Sequence, residues 1–379
     1  MSTPLQSLSE RIAPLAQRLR RPKESTPGVK LLSLDRMLSA GAIRLADLDE
    51  WKTSSRKGGA AAGRGSGRES YSFAFDAGRD RMLQCRLFLP EGKPPYPAFV
   101  FNFGIGANVE FAYLARHVSR AGWAVLVPAY WGIQRSMPLA EDIENCAKAF
   151  RFLISLDVVQ KGQVGIVGAS YGAALALTAA ADRRIAKDVR YVVSIDGPAD
   201  VLDLIAYTKT GQNVGRRVKV LLRKKMRLLV LDEVRAFRSR QQRGRAAGAP
   251  DAQPLPGLYK DLFLVEELQQ AKDAETVSGL LGETSPYLRG KLEALSPLRH
   301  LSGITARVLF IHGRKDSIVP CEHSVRMHEA MRAMGKESEL ILIEGLGHGI
   351  WIAQPRELIS FLRKDGRATL ERIAAFMRR

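Results

Sequence analysis

The sequence predicts an α/β fold: a mostly parallel central sheet with helices on both faces and a helical cap insertion. Three observations carry this. From residue 71 onward, short apolar runs rich in Val, Ile, Phe and Ala alternate with longer stretches of helical character. Strands that alternate with helices pair in parallel and are covered on both sides. The alternation lapses once, over residues 198–300, and then resumes with two further apolar runs. A hundred or so residues are too many for a plain loop, so this stretch is read as a helical insertion at the C-terminal edge of the sheet.

The elements follow in order. Leu5, Leu8, Ile12, Leu15 and Leu19 recur at steps of three and four, so residues 1–53 are read as a helical segment, cationic through Arg11, Arg18, Arg20, Arg21 and Lys23. Residues 54–70 are Gly/Ser-rich without bulky apolar side chains and are read as a flexible linker. YSFAF and RMLQCRLFL read as two strands joined by a turn around 77–80. Strands are expected at 97–103, 123–130, 163–170, 190–196, 306–313 and 339–345. Helices are expected at 108–122, 138–157, 171–182, roughly 321–334 and roughly 355–377. Residues 71–197 and 301–379 together make the core, and 198–300 the insertion.

Composition narrows the function classes. The chain has 379 residues, 46% of them hydrophobic, which suits a globular protein rather than a disordered one. No run of 18 or more apolar residues predicts a membrane span, and the N-terminal residues lack the apolar core of a secretory signal. Cys85, Cys146 and Cys321 are too dispersed for a disulfide framework or a spaced zinc site and suit a reducing, cytoplasmic setting. The net charge of +19 points toward an acidic partner or, equally, toward a solvated basic surface.

One motif carries chemistry. Gly168-Ala169-Ser170-Tyr171-Gly172 follows an apolar strand and opens a small-residue helix. That strand–turn–helix setting is the one in which G-x-S-x-G presents a serine hydroxyl at the top of a sheet. Glycines two before and two after the serine omit Cβ atoms that would strike the neighbouring strand and helix. A serine hydroxyl is a poor nucleophile without a base, and the base needs an orienting acid. Asp316, within HGRKDSIVP, and His348, within GLGHG, each follow a predicted parallel strand, in the chain order Ser…Asp…His. Asp196, in SIDGPAD, also follows a strand and is an alternative orienting acid. Of the other histidines, His323 and His328 fall on a predicted helix, His312 lies beneath the acid loop and His300 ends the insertion; His117 is the sixth.

On GASYG, the 312–320 stretch and GLGHG, the chain resembles the α/β-hydrolases, in the group containing dienelactone-hydrolase-like and prolyl-oligopeptidase-like enzymes. The resemblance covers roughly residues 71–200 and 300–379. It implies that Ser170 is the nucleophile, His348 the general base and acid, and Asp316 the residue that orients His348. Dienelactone hydrolases proper use a cysteine nucleophile, so Ser170 speaks against that activity. An oxyanion hole needs two backbone N–H groups. One is expected from Tyr171; the other from Gly104 or Ile105, in a loop with Asn102 where a related motif carries His.

Residues 211–245 hold twelve Arg/Lys against two acids, a net +10. Val218, Leu222, Met226, Leu229 and Phe237 fall near one helical stripe. The segment is read as a solvated face, as a surface for an anionic membrane, or as an attractor for an acidic carrier such as coenzyme A or an acyl carrier protein. It lacks the interleaved aromatics of a nucleic-acid platform. The expected function is a serine hydrolase acting on a small-molecule acyl ester or thioester, needing no metal or organic cofactor, with the protein cytoplasmic or peripheral to a membrane. The same triad would serve an acyltransferase. The runner-up among enzymes is a peptidase, which falls below ester cleavage because only about 70 residues precede the core, whereas the related peptidases carry a large propeller there. A non-catalytic binding protein is the reading from another class.

Overall fold

The computed structural model describes residues 70–104, 115–134, 140–210, 273–348 and 366–379, except 79–80 and 117, with scattered positions over 261–271. The N-terminal helical segment, the linker up to residue 69, the first part of the 108–122 helix, the basic run 211–245 and residues 355–365 lie outside them.

Eight strands form one sheet in the order β1-β2-β4-β3-β5-β6-β7-β8. In chain order they are β1 (Ser70–Gly78), β2 (Arg81–Phe88), β3 (Tyr96–Asn102), β4 (Ala124–Ala129), β5 (Val159–Ala169), β6 (Tyr191–Ile195), β7 (Arg307–Gly313) and β8 (Ser338–Ile343). The β1–β2 and β2–β4 pairings are antiparallel and all the others parallel, so β2 alone runs against the rest.

Side-chain alternation sorts the strands' apolar residues onto two faces. Ala98, Val100, Ile166, Val192 and Phe310 join one core. It is closed by helices α1 (Glu141–Ser155) and α2 (Tyr171–Ala180). Phe99, Phe101, Val167, Val193, Leu309 and Ile311 join the other, which takes in Ala374, Phe376 and Met377. Every residue of α2 is buried, as a helix apolar all round requires.

Between β6 and β7 lie α3 (Val201–Thr210), α4 (Ala274–Gly282) and α5 (Pro286–Ala294). Ile205, Val277, Leu281, Leu288 and Leu292 build a third apolar cluster among these helices. Asp273 and Ser285 cap the N-termini of α4 and α5, accepting from the backbone N–H of Thr276 and Leu288. The two ends of this excursion are tied together, because Leu298 N donates to Ala199 O at 3.0 Å and Val201 N to Ser296 Oγ at 2.9 Å. Helix α6 (Glu322–Ala333) lies between β7 and β8, and α7 (Arg367–Arg378) follows β8. Among the described residues, no helix is long and apolar enough to cross a membrane.

The strand order reverses direction at β3. The next strand, β4, lies on one side of it, and β5 lies on the other. At such a switch point the loops leaving the two strands diverge and open a crevice at their C-terminal ends. The loop after β3 carries Gly104, and the turn after β5 carries Ser170.

Candidate active site

Ser170 joins β5 to α2 with φ 54° and ψ −126°, a conformation disfavoured for a residue with a Cβ. The turn closes because its neighbours have no side chain. A Cβ on Gly168 would lie 2.1 Å from Gly172 O, and one on Gly172 would lie 2.3 Å from Asn102 O and 2.4 Å from Phe103 O. Ser170 N donates to Ile195 O at 2.7 Å, which ties the turn to β6.

The structure brings Ser170, His348 and Asp316 together from three loops. Ser170 Oγ lies 2.8 Å from His348 Nε2, and His348 Nδ1 lies 2.6 Å from Asp316 Oδ2. Burial raises the pKa of Asp316, but hydrogen bonds from His312 and His348 outweigh it and bring it down to about 2. The acid is therefore ionised at neutral pH and holds a proton on His348 Nδ1, leaving Nε2 to face the serine hydroxyl.

Asp196, the alternative acid, sits at φ 50° and accepts from Gly313 N at 2.9 Å. Burial raises its pKa, in part offset by the nearby His312 and His348. It is Asp316 that accepts the hydrogen bond from His348 Nδ1. Of the remaining histidines, His323 Nδ1 accepts from Ala199 N at 3.1 Å, and His328 Nδ1 lies 2.8 Å from Ser338 Oγ.

The loop after β3 lies against the serine: a Cβ on Gly104 would approach Ser170 Cβ to 2.9 Å. Ile105 and the rest of that loop up to 114 lie outside the described residues. The base of the loop is held by a buried polar layer that the sequence did not announce. Asn102 Oδ1 accepts from Tyr130 Oη at 2.7 Å, and Asn102 Nδ2 donates to Cys146 Sγ at 3.3 Å. Burial pushes the Cys146 thiol up to about 11, so it stays protonated. Tyr171 opens α2, so its N–H lies in the first turn of the helix that follows the serine, where the helix dipole favours negative charge.

On α3, in the insertion, the Tyr207 phenol is raised by burial and then by the charges of Asp316 and Glu322. Among the described residues, one set of metal-ligating type converges: Asp196, His312 and Asp316, with ligand atoms within 4.8 Å of one another. His312 Nε2 faces the carbonyl of Val319 at 2.8 Å and Nδ1 faces Ser324 Oγ at 2.7 Å. A carbonyl only accepts, so Nε2 carries hydrogen and offers no lone pair to a metal.

Comparison with known proteins gives this geometry its context. The chain is 34% identical over 129 residues to acyl-coenzyme A amino acid N-acyltransferase 2 of Rattus norvegicus, over 33% of this chain and 29% of that protein. It is 28% identical over 274 residues to acyl-coenzyme A amino acid N-acyltransferase 1 of Mus musculus, over 69% of this chain and 50% of that one. Acyl-coenzyme A thioesterase 5 of Mus musculus is 32% identical over 122 residues, 32% of this chain and 28% of that protein. The chain thus spans half or less of the length of these relatives. The family model described as the alpha/beta hydrolase fold matches residues 97–355, which is more than half of the chain and takes in Ser170, Asp316 and His348. This chain belongs to the α/β-hydrolase fold family.

Proposed function

We propose that this protein is a serine hydrolase that cleaves a carboxylic ester or thioester through an acyl-enzyme on Ser170. The observation that carries the reading is the unbroken pair of short hydrogen bonds from Ser170 Oγ through His348 to Asp316. Ser170 Oγ attacks the substrate carbonyl carbon while its proton passes to His348 Nε2. The new imidazolium is stabilised by the Asp316 carboxylate. The oxyanion takes hydrogen bonds from the N–H of Tyr171 and from that of Gly104 or Ile105. Collapse breaks the bond to the leaving oxygen or sulfur, which receives the proton from His348. Water then attacks the acyl-serine, giving one proton to His348, which returns it to Ser170 Oγ as the acid departs.

Thioesters of coenzyme A are the substrates we favour, because the sequence relatives are named for acyl-coenzyme A. A second reading, acyl transfer to an amino acid nitrogen in place of water, has the same support from two of those relatives. In both, α3, α4 and α5 act as a cap that shapes the acyl pocket, and the basic run 211–245 attracts the acidic carrier.

Fluorophosphonate labelling of wild type beside Ser170→Ala tests the reading. Labelling at Ser170 that vanishes in the variant is expected. Folded wild type that does not label would overturn it and favour a binding role. Incubation with an acyl-coenzyme A, with and without amino acids, then separates free acid from N-acyl product.

A further inference from the structure

The side chain of His312 is fully buried, and its hydrogen bonds wind it into the loop that holds the acid. Asp316 Oδ1 accepts from the N–H groups of Ile318 at 2.8 Å and Val319 at 2.9 Å. Asp316 Oδ2 accepts from His348 Nδ1 at 2.6 Å and lies 3.2 Å from His312 Nε2. The same Nε2 lies 2.8 Å from Val319 O. A ring results: His312 Nε2–H faces Val319 O, with Asp316 Oδ2 beside it at 3.2 Å, while Val319 N–H returns to Asp316 Oδ1. Oδ1 accepts twice, and Oδ2 sits between His348 Nδ1 and His312 Nε2, which fixes the carboxylate's plane as well as its position.

We infer that His312 is a positioning residue for the Ser170–His348–Asp316 set, pinning Asp316 Oδ2 through Nε2–H so that the acid stays aligned on His348. The inference rests on the function proposed above. The site tolerates either charge state of the His312 ring. Val319 O requires the hydrogen on Nε2, while the hydroxyl of Ser324, 2.7 Å from Nδ1, either donates or accepts. Asp196 Oδ1 stands 3.9 Å from Nε2 and adds a second negative group. Burial would depress the pKa of His312, but the hydrogen bond to Asp316 and the charges of Asp196 and Asp316 raise it overall. A donor of this kind balances two buried carboxylates and keeps Asp316 ionised when His348 takes the serine proton.

Two conservative variants separate this role from simple packing. A glutamine at 312 places its amide nitrogen near the position of Nε2 and keeps a donor to Asp316. An asparagine places its nitrogen near Nδ1, keeps the contact to Ser324 and loses the donor. Fluorophosphonate labelling rates are measured across pH and probe concentration, well below the thermal midpoint of each variant. His312→Gln is expected to label within about threefold of wild type. His312→Asn is expected to lose roughly tenfold or more in maximal rate with the half-saturating concentration unmoved, as small misplacements of catalytic groups do. Its acid limb is expected to shift relative to His312→Gln. Equal rates and equal pH limbs for the two variants, or a faster Asn variant, would overturn the inference while wild type still labels. Wild type that does not label would overturn both this inference and the proposed function.

Discussion

Ser170 holds a backbone conformation that costs on the order of 1–3 kcal/mol, so its surroundings must over-determine it. The close approach of Gly172 to the end of β3 is one such constraint, and it predicts a contrast between two glycines. Gly172→Ala puts a methyl within 2.3–2.4 Å of the carbonyl oxygens of Asn102 and Phe103, which are backbone and move only with β3. A loss of roughly 2–4 kcal/mol and a displaced Gly104 loop are expected. Gly279→Ala, on the exposed side of α4 with nothing within 4 Å, is expected to gain up to about 1 kcal/mol. Urea unfolding of both variants checks this; comparable losses would mean that the elbow is looser than drawn. The acid gives a second prediction at this scale. Asp316→Asn replaces a charged acceptor by an amide that can hold His348 in the wrong tautomer. A fall in maximal rate of about 10³–10⁴ is expected, read as labelling or hydrolysis, with little change in half-saturation. A drop of less than tenfold would assign the orienting role elsewhere.

At the scale of elements, the insertion is rooted where α6 meets the end of β6. His323, only 5% exposed, accepts the backbone N–H of Ala199 through Nδ1 and must be neutral on that nitrogen to do so. Burial, and then the neighbouring Arg326, lower its pKa to about 4, against pulls in the other direction from Asp203 and Asp200. The unfolded chain binds this proton near pH 6.5, earlier than the folded one. The associated stability is therefore complete above about pH 6.5 and is lost as pH falls toward 4, by roughly 3 kcal/mol in all. Asp316 acts in a separate, lower window. Its folded pKa of about 2 lies below the ordinary 3.8, so its contribution is lost from about pH 4 downward. His323→Gln retains an acceptor but cannot titrate. Its unfolding free energy is expected to vary less than that of wild type between about pH 7 and 4. Parallel pH profiles would show that the Ala199 contact does not report on the charge of His323. The elements themselves were largely legible. Strands predicted at 97–103 and 306–313 are β3 and β7 to within a residue, because their apolar runs are bounded by turn residues. The strand predicted from 163 begins four residues earlier, at Val159, since its exposed Gln160, Lys161 and Gly162 carry no apolar signal. Ser170, Asp316 and His348 stood out because tight turns demanded glycines around them. His312 and Asn102 did not reveal their partners, since a buried side chain satisfied by hydrogen bonds leaves no periodicity behind.

On the scale of the whole molecule, charge is the property least explained by the folded core. The chain carries +19, and the run 211–245 supplies a net +10 of it from less than a tenth of the length. Elsewhere, among the described residues, opposite charges meet in local pairs such as Arg326 with Asp203 and Arg372 with Glu339, which add no net charge. Exposed pairs of this kind add little stability. A concentrated cationic run has a different consequence: it raises the local concentration of an anionic substrate, an effect that weakens as the Debye length contracts from about 14 Å at 50 mM salt toward about 6 Å at 300 mM. The acyl-coenzyme A reading therefore predicts how two substrates diverge. The KM for an acyl-coenzyme A thioester is expected to rise several-fold over that salt range with kcat unchanged, while the KM for a neutral p-nitrophenyl ester of the same chain stays flat. Replacing Arg223, Lys224, Lys225 and Arg227 together with glutamine is expected to raise KM for the thioester at low salt and flatten its salt dependence, leaving the neutral ester untouched. The neutral ester matters because it shares Ser170, His348 and the acyl pocket with the thioester and lacks only the carrier's charge. If both substrates respond alike, or if the fourfold variant keeps the salt dependence of wild type, the basic run is a solvated face and the carrier is recognised elsewhere.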